Sequence, residues 1–544
     1  MLFIDIYWAS LLILVPCVTL VLGRSIVLRA FGQFSSPSTT AADTTAKKLS
    51  EEEEEREDRG EDVGRHDERE ANNFRWLFLR VYLLVMGSEW LQGPYLYTLL
   101  KDEKKYPDRT VALLYMAAYI SAAISAPLTG YFADRIGRRT ACLAYCAIHS
   151  LASLSVLSSL LEVILVGRVI AGVGTTLLWS VFESWMVAEY NARGLGRENS
   201  SRSRLPLSAM YGVMTTYNCI TAILAGLVAH CVVLALGSKT HLFILALILD
   251  ATAALIILQT WTENRGAGNK RSQQQDNDDE SVQPVIDSLE DRLMDSLKNV
   301  RVWVLSLVSC CFEGTIFLFM YYWPGALQDA HDHSNSSSPG TPPDHQLPFG
   351  VIFASFMAIM VLGALLFDIL MTRYGKWPAA TDQTTTGERL KKHLPVGLLT
   401  IALFLGGLSF LWVAFFGRHE LSLLSAFLLL EACNGLYVPS MGYQRSQVVS
   451  DARRASVYGF MNIPLFVFVA LALITTNQEG QVDDHRHTVF IICAGLLFVA
   501  GIGAFAGLRV RSSPEKEYAQ IKEAEHDDAE PEKNSGEGDT LIHA

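Results

Sequence analysis

Seven ionisable side chains stand inside stretches otherwise built of apolar residues: Glu89, Arg168, Glu183, Asp250, Glu313, Asp368 and Glu431. A charge inside a bilayer-length segment is costly unless paired or hydrated, so each is a candidate for binding or moving a polar solute. Counting apolar segments after an N-terminal one places Glu89 in the first, Arg168 and Glu183 in the fourth, Glu313 in the seventh and Glu431 in the tenth. Asp250 and Asp368 fall outside that set. Glu89, Glu313 and Glu431 lie near the midpoints of their segments, the depth of a site between two half-bundles. Arg168 and Glu183 are separated by about 22 Å at helical rise, so Arg168 needs a partner from another helix, or an anion. Gln92, Tyr95, Tyr97, Trp185, Asn218, Asn434, Tyr437 and Asn462 are polar neighbours able to bond a solute or another helix. For any one of these groups, fixing helix packing is the competing role.

No P-loop, no His/Cys/Asp ligand spacing and no Ser-His-Asp set outside the apolar segments supports enzyme chemistry. An ATP-driven pump is disfavoured; no cofactor, metal or nucleic-acid partner is expected. Cys142, Cys146, Cys219, Cys310, Cys311 and Cys433 sit in apolar segments and read as small core residues.

These residues are positioned by an all-α polytopic chain. With 544 residues, 50% hydrophobic and 18% charged, it is too apolar for a soluble globular protein of this size. The net charge of -12 resides largely in residues 51–70, which carry twelve acids against four Arg, and in the tail from Glu515 to Asp539. Residues 1–31 read as a retained transmembrane anchor and 32–73 as a disordered acidic cytoplasmic linker. Apolar segments of roughly the 20 residues a bilayer needs then fall near 74–100, 110–133, 140–158, 161–190, 207–235 and 240–262. A second set falls near 300–327, 347–372, 394–416, 420–443, 456–476 and 488–509. The expectation is two six-helix bundles, 74–262 and 300–509, joined by a polar cytoplasmic loop at 263–299, with a disordered acidic tail at 510–544. Lys and Arg in short loops put the N-terminus outside and the C-terminus in the cytoplasm. The outer loop with Lys101, Lys104, Lys105 and Arg109 runs against that rule. Asn335, in a Ser/Pro-rich outer loop, is a glycosylation candidate, whereas Asn199 falls inside. Pro94, Pro324, Pro439 and Pro464 mark bends.

One loop carries a recognisable pattern: Gly130-Tyr131-Phe132-Ala133-Asp134-Arg135-Ile136-Gly137-Arg138-Arg139. Its G-x-x-x-D-R-x-G-R-R spacing resembles the loop between the second and third helices of the major facilitator superfamily. There Asp134 is expected to take a helix N-terminus or an Arg and act as a gating latch, Gly130 to permit close helix approach, and Gly137 to adopt a positive φ. A degenerate echo, Arg373-Tyr374-Gly375-Lys376, lacks the acid, Thr372 standing in its place. Arg168-Val169-Ile170-Ala171-Gly172-Val173-Gly174 resembles the superfamily's fourth-helix motif; Arg168, Gly172, Thr176, Trp179 and Glu183 form one helical stripe.

The segments Ser88-Glu89-Trp90-Leu91-Gln92-Gly93-Pro94-Tyr95, Phe182-Glu183-Ser184-Trp185, Phe312-Glu313-Gly314-Thr315 and Leu430-Glu431-Ala432-Cys433-Asn434-Gly435-Leu436-Tyr437-Val438-Pro439 resemble the molybdate-anion transporter family of that superfamily. So does Gly350 to Met357, and the likeness runs from about Phe74 to Leu508 and covers the extra N-terminal helix. It implies a secondary transporter moving molybdate, a tetrahedral oxyanion, across the plasma membrane by alternating access, with its site on the helices that line the central cavity. Where the family often has Phe-Arg-x-Pro in the eleventh repeat helix, this chain reads Met461-Asn462-Ile463-Pro464. An oxyanion site wants cations, and these helices supply mainly carboxylates. Either Arg168 with Tyr95, Tyr437, Asn434 and Trp185 holds the anion, or some Glu are protonated, since a buried carboxyl favours its neutral form. Protons are then the coupling ion. A facilitator for an organic or sugar-like solute and a nontransporting sensor or scaffold are the alternatives.

Overall fold

The computed structural model describes residues 6–33, 49–195, 207–264, 299–336, 347–375, 385–448, 454–475 and 482–508. All regular structure there is helical: α1 (Ile6–Gln33), α2 (Leu49–Gln92), α3 (Asp108–Ile136), α4 (Arg138–Leu157), α5 (Leu161–Ala192), α6 (Leu207–Leu236) and α7 (Thr240–Thr260). After the central loop come α8 (Val300–Ser336), α9 (Phe349–Gly375), α10 (Thr385–Phe416), α11 (Glu420–Val448), α12 (Arg454–Thr475) and α13 (Val482–Gly507). Ten helices among the described residues are long and apolar enough to cross a membrane, and Ile6–Val21 and Ile463–Ile474 are shorter apolar helices. Their outward faces are apolar too: Ile124, Leu128, Phe132, Leu234, Leu255 and Ile502 are exposed. With no polar solvent to accept backbone groups in a bilayer core, helix is the conformation that satisfies each segment internally.

The acidic stretch at 51–70 departs from expectation, because α2 begins at Leu49 and runs unbroken through it. Pairs such as Glu52/Arg56, Glu55/Arg59 and Glu61/Arg65 recur at the four-residue spacing that supports a helix. Beyond Gln92 the first repeat segment is irregular, a 3-10 turn at Gly93–Tyr95 and a π turn at Leu99–Glu103, where Pro94 removes a helical donor.

The bundle has two ends, named here by Lys101 and Arg138. At the Lys101 end, the anomalous cations are bonded: Lys101 to Asp108 at 2.9 Å, and Lys104 to the Ser158 carbonyl at 2.6 Å. Partial burial holds the Lys104 ammonium below the usual lysine pKa. Opposite them, Lys239 pairs with Asp102 at 2.9 Å, and its backbone N–H donates to Glu103 at 2.7 Å.

The two halves join at this end. Tyr321 meets the ring edges of Tyr97 and Tyr115 at 5.4 and 5.1 Å, and Tyr119 meets Phe317 at 5.3 Å. The Gly350 N–H donates to the Tyr95 hydroxyl at 3.1 Å. Gly226 of α6 and Gly350 of α9 cross so closely that a Cβ on Gly350 would lie 2.2 Å from the Gly226 carbonyl oxygen. One apolar core runs through the second half and into the Lys101 end of the first. A separate core, from Ala71 to Trp261, belongs to the first half alone at the Arg138 end.

Helix α1 lies against α9. Tyr7 donates to Glu420, which His331 also contacts at 3.2 Å, and Ser10 bonds Ser355 at 3.1 Å.

Candidate functional site

Two polar clusters occupy the interior, one in each half. In the first half, His149 of α4 stands between two carboxylates. Its Nε2 lies 3.1 Å from Glu89 on α2 and its Nδ1 2.7 Å from Asp250 on α7. Ser88 donates to the Ala246 carbonyl at 3.2 Å and sits 3.3 Å from the same Nδ1, while Gln92 donates to Ser153 at 2.9 Å. Tyr145 stacks on the imidazole at 5.4 Å. Asp250 therefore belongs with Glu89, contrary to the grouping by helix number, and His149 is a residue that sequence reasoning missed. A lone histidine in an apolar helix has no motif to announce it; its signal is a third ionisable group at the same depth as two unpaired acids.

On α5, the Arg168 guanidinium lies over the Tyr115 ring, 5.5 Å from its centroid, and its Nε is buried without a hydrogen-bond partner. The ring face attracts the cation but offers no lone pair to that N–H.

In the second half, Glu313 of α8 accepts from Arg445 at 2.8 Å and from the Tyr437 hydroxyl at 2.9 Å, both on α11. Arg445 also donates to Ser309 at 2.7 Å. The Tyr437 ring stacks on Phe312, centroids 3.9 Å apart, which fixes its hydroxyl towards Glu313. Arg445 is another cation of the interior, and sequence reasoning missed it too, because it lies near the end of α11 where a loop arginine is expected. Glu431 is fully buried and accepts from Asn434 one turn on, at 3.1 Å; its second oxygen is unbonded.

Other candidates sit elsewhere. Glu183 is exposed and accepts from Tyr211 at 2.6 Å. Trp185 is buried against Trp261, 3.6 Å between centroids, and donates to the Thr262 carbonyl. Tyr95 seals the joint between the halves, as described above. Asn218 accepts from the Trp90 indole at 3.0 Å.

At the patterned loop, Gly137 has φ 117°. The α4 N-terminus it opens is capped by Glu263: its carboxylate accepts the Arg139 and Thr140 backbone N–H groups at 3.0 and 3.1 Å and the Thr140 hydroxyl at 2.7 Å. Arg138 donates to the Ser184 carbonyl at 3.1 Å and Arg139 to that of Leu258 at 2.9 Å. The packing around Gly130 and the side chains of Asp134, Asn335, Arg373 and Asn462, with residues Asn199, Lys376, 265–298 and 509–544, lie outside what is described.

A bundle of membrane-length helices with charged clusters in its interior is the architecture of a membrane transporter. A family model described as sugar transporters with 12 transmembrane segments matches residues 56–381. The chain belongs to this family of the major facilitator superfamily. Among its relatives are a molybdate-anion transporter of Danio rerio, 29% identical, and one of Takifugu rubripes, 28% identical. Each alignment spans 456 residues, 78% of this chain and 85% of the relative. Among solved structures, that of a nucleoside transporter is 17% identical, with a TM-score of 0.56, covering 79% of this chain and 99% of the other. This last likeness concerns the fold.

Proposed function

We propose that the chain moves molybdate, or a similar tetrahedral oxyanion, across the plasma membrane by alternating access between the half-bundles 74–262 and 300–509. The observation that carries this reading is the guanidinium of Arg168, held over Tyr115 with a buried N–H that has no acceptor. A dianion supplies both the missing acceptor and the missing charge. In the other half, Arg445 is attached to Glu313 and Ser309, a second cation whose carboxylate an anion can displace. Glu89, Gln92 and Asn434 complete the polar lining, with the buried Glu431 and Tyr437 bonded to Asn434 and Glu313; Tyr95, Glu183 and Trp185 serve the frame around it. The names of the relatives support molybdate as the substrate, and the spread of Lys and Arg supports an outside N-terminus and a cytoplasmic C-terminus. In this conformation the Lys101 end is joined, and Gly130 to Arg139 is the loop that must move when the Arg138 end closes.

The family's description as sugar transporters favours a second reading, a sugar-like solute held by the carboxylates. Labelled molybdate uptake into proteoliposomes, with unlabelled tungstate, sulfate or monosaccharide as competitor, decides between them. Competition by tungstate and not by sugars is expected. Uptake indistinguishable from protein-free vesicles rejects the oxyanion reading.

A further inference from the structure

We propose that Glu89, His149 and Asp250 form a proton-loading site, with Glu89 the group that takes and releases the proton and the other two its positioning residues. The inference rests on the transport reading and names the coupling site within it.

Proton counting leads there. Each imidazole nitrogen faces a carboxylate oxygen within hydrogen-bond reach, at 3.1 Å and 2.7 Å, and each contact requires one proton between its atoms. Two protons are therefore shared by three groups, whether the ring is imidazolium between two carboxylates or neutral beside one carboxylic acid. Both distributions carry the same net single negative charge. Removing either proton would oppose a nitrogen lone pair and a carboxylate in a buried place, so the pair is retained. The state that changes easily is a third proton, added from water at the exposed side of Glu89 to its free oxygen, which takes the cluster from a single negative charge to neutral.

Access is graded to suit this. The Glu89 side chain is 38% exposed, that of His149 9% and that of Asp250 0%. Of the three, Glu89 alone is open enough to exchange a proton with water, while Asp250, one oxygen unbonded, anchors the ring from the buried side. The surrounding groups hold the frame: Ser88 and Gln92 from α2, and Tyr145, Cys146 and Ser153 from α4. Arg168 of α5 and Tyr119 of α3 are near enough to feel the Glu89 charge. Thus the cation offered to the substrate and the carboxylate offered to the proton sense one another. An anion arriving at Arg168 competes with Glu89 for that charge, and neutralising Glu89 removes the repulsion. Glu313 and Glu431 are less suited, since the first is engaged by an arginine and the second is fully buried.

The test uses reconstituted full-length protein with a pH dye inside the vesicles and labelled molybdate outside, read as the ratio of protons to anions carried. A damaged transporter loses both fluxes together and keeps its ratio. In wild type a fixed ratio is expected; in Glu89→Gln it is lost, and in Asp250→Asn, which keeps the size and a hydrogen bond to the ring, it falls. Wild-type molybdate uptake without proton movement overturns the inference and leaves the transport reading standing, as does a Glu89→Gln variant with the wild-type ratio. Should wild type carry no molybdate, the transport reading fails, and Tm against pH for solubilised protein tests the site by itself. The same pH slope in wild type, Glu89→Gln and Asp250→Asn then overturns it.

Discussion

Arg168 shows how far a residue can be understood before its partners are known. From the chain alone it needs a partner on another helix or an anion, and in the fold it has an aromatic face and an unbonded N–H. One lost charged hydrogen bond, roughly 1.5–3 kcal/mol, corresponds to a roughly 10- to 150-fold fall in uptake efficiency. Arg168→Gln is expected in that range in a molybdate uptake assay. Arg168→Lys is expected to recover part of it, since it restores charge without the planar fork; equal rates for all three proteins would deny Arg168 contact with the substrate. Glu89, Glu313 and Glu431 were legible because a carboxylate among apolar residues is conspicuous. His149 and Arg445 were not, because their meaning depends on groups 60, 101 and 132 positions away (Glu89, Asp250 and Glu313). The Glu263 cap was hidden for another reason: the residue opens a polar loop, and only the fold brings it to α4.

At the scale of the element, several helices extend past their apolar runs by five or more residues, as Val300–Ser336 and Thr385–Phe416 do. The order and the apolar centres of the helices were legible, since a bilayer sets the length of each apolar run. The acidic segment was not, because its composition resembles disorder while its four-residue charge spacing supports α2. Packing between elements is hardest to read from a sequence. Nothing in the chain marks Gly226 and Gly350 as partners, yet each backbone fills the space in which the other's Cβ would stand. Gly350→Ala is expected to wedge α6 from α9 at a cost of about 1–3 kcal/mol. The measurable result is faster labelling, by a membrane-impermeant thiol reagent, of a cysteine placed at Tyr97. Unchanged labelling with unchanged Tm would show that the helices reseat without opening the joint.

For the whole molecule, the joining of the halves at one end means that transport requires the aromatic contacts there to separate. Tyr97 and Tyr321, on opposite halves with ring centroids 5.4 Å apart, are the natural place to prevent it. In a background lacking native cysteines, Tyr97→Cys with Tyr321→Cys, bridged by a short bifunctional reagent, is expected to abolish uptake; either single variant treated alike is expected to retain it. Continued uptake by the bridged protein would place the moving joint elsewhere.

The Glu263 carboxylate closes a circuit, the residue just beyond α7 reaching back to cap the start of α4 and thereby fastening the end of the first half to its own interior. Beside it lies a core whose described residues all come from the first half. A ribosome that has released the chain only as far as Asn264 has already delivered every group needed for that circuit. At the Arg138 end, the first half can thus finish its own assembly during biosynthesis, leaving the Lys101 end as the surface on which the later half is laid down.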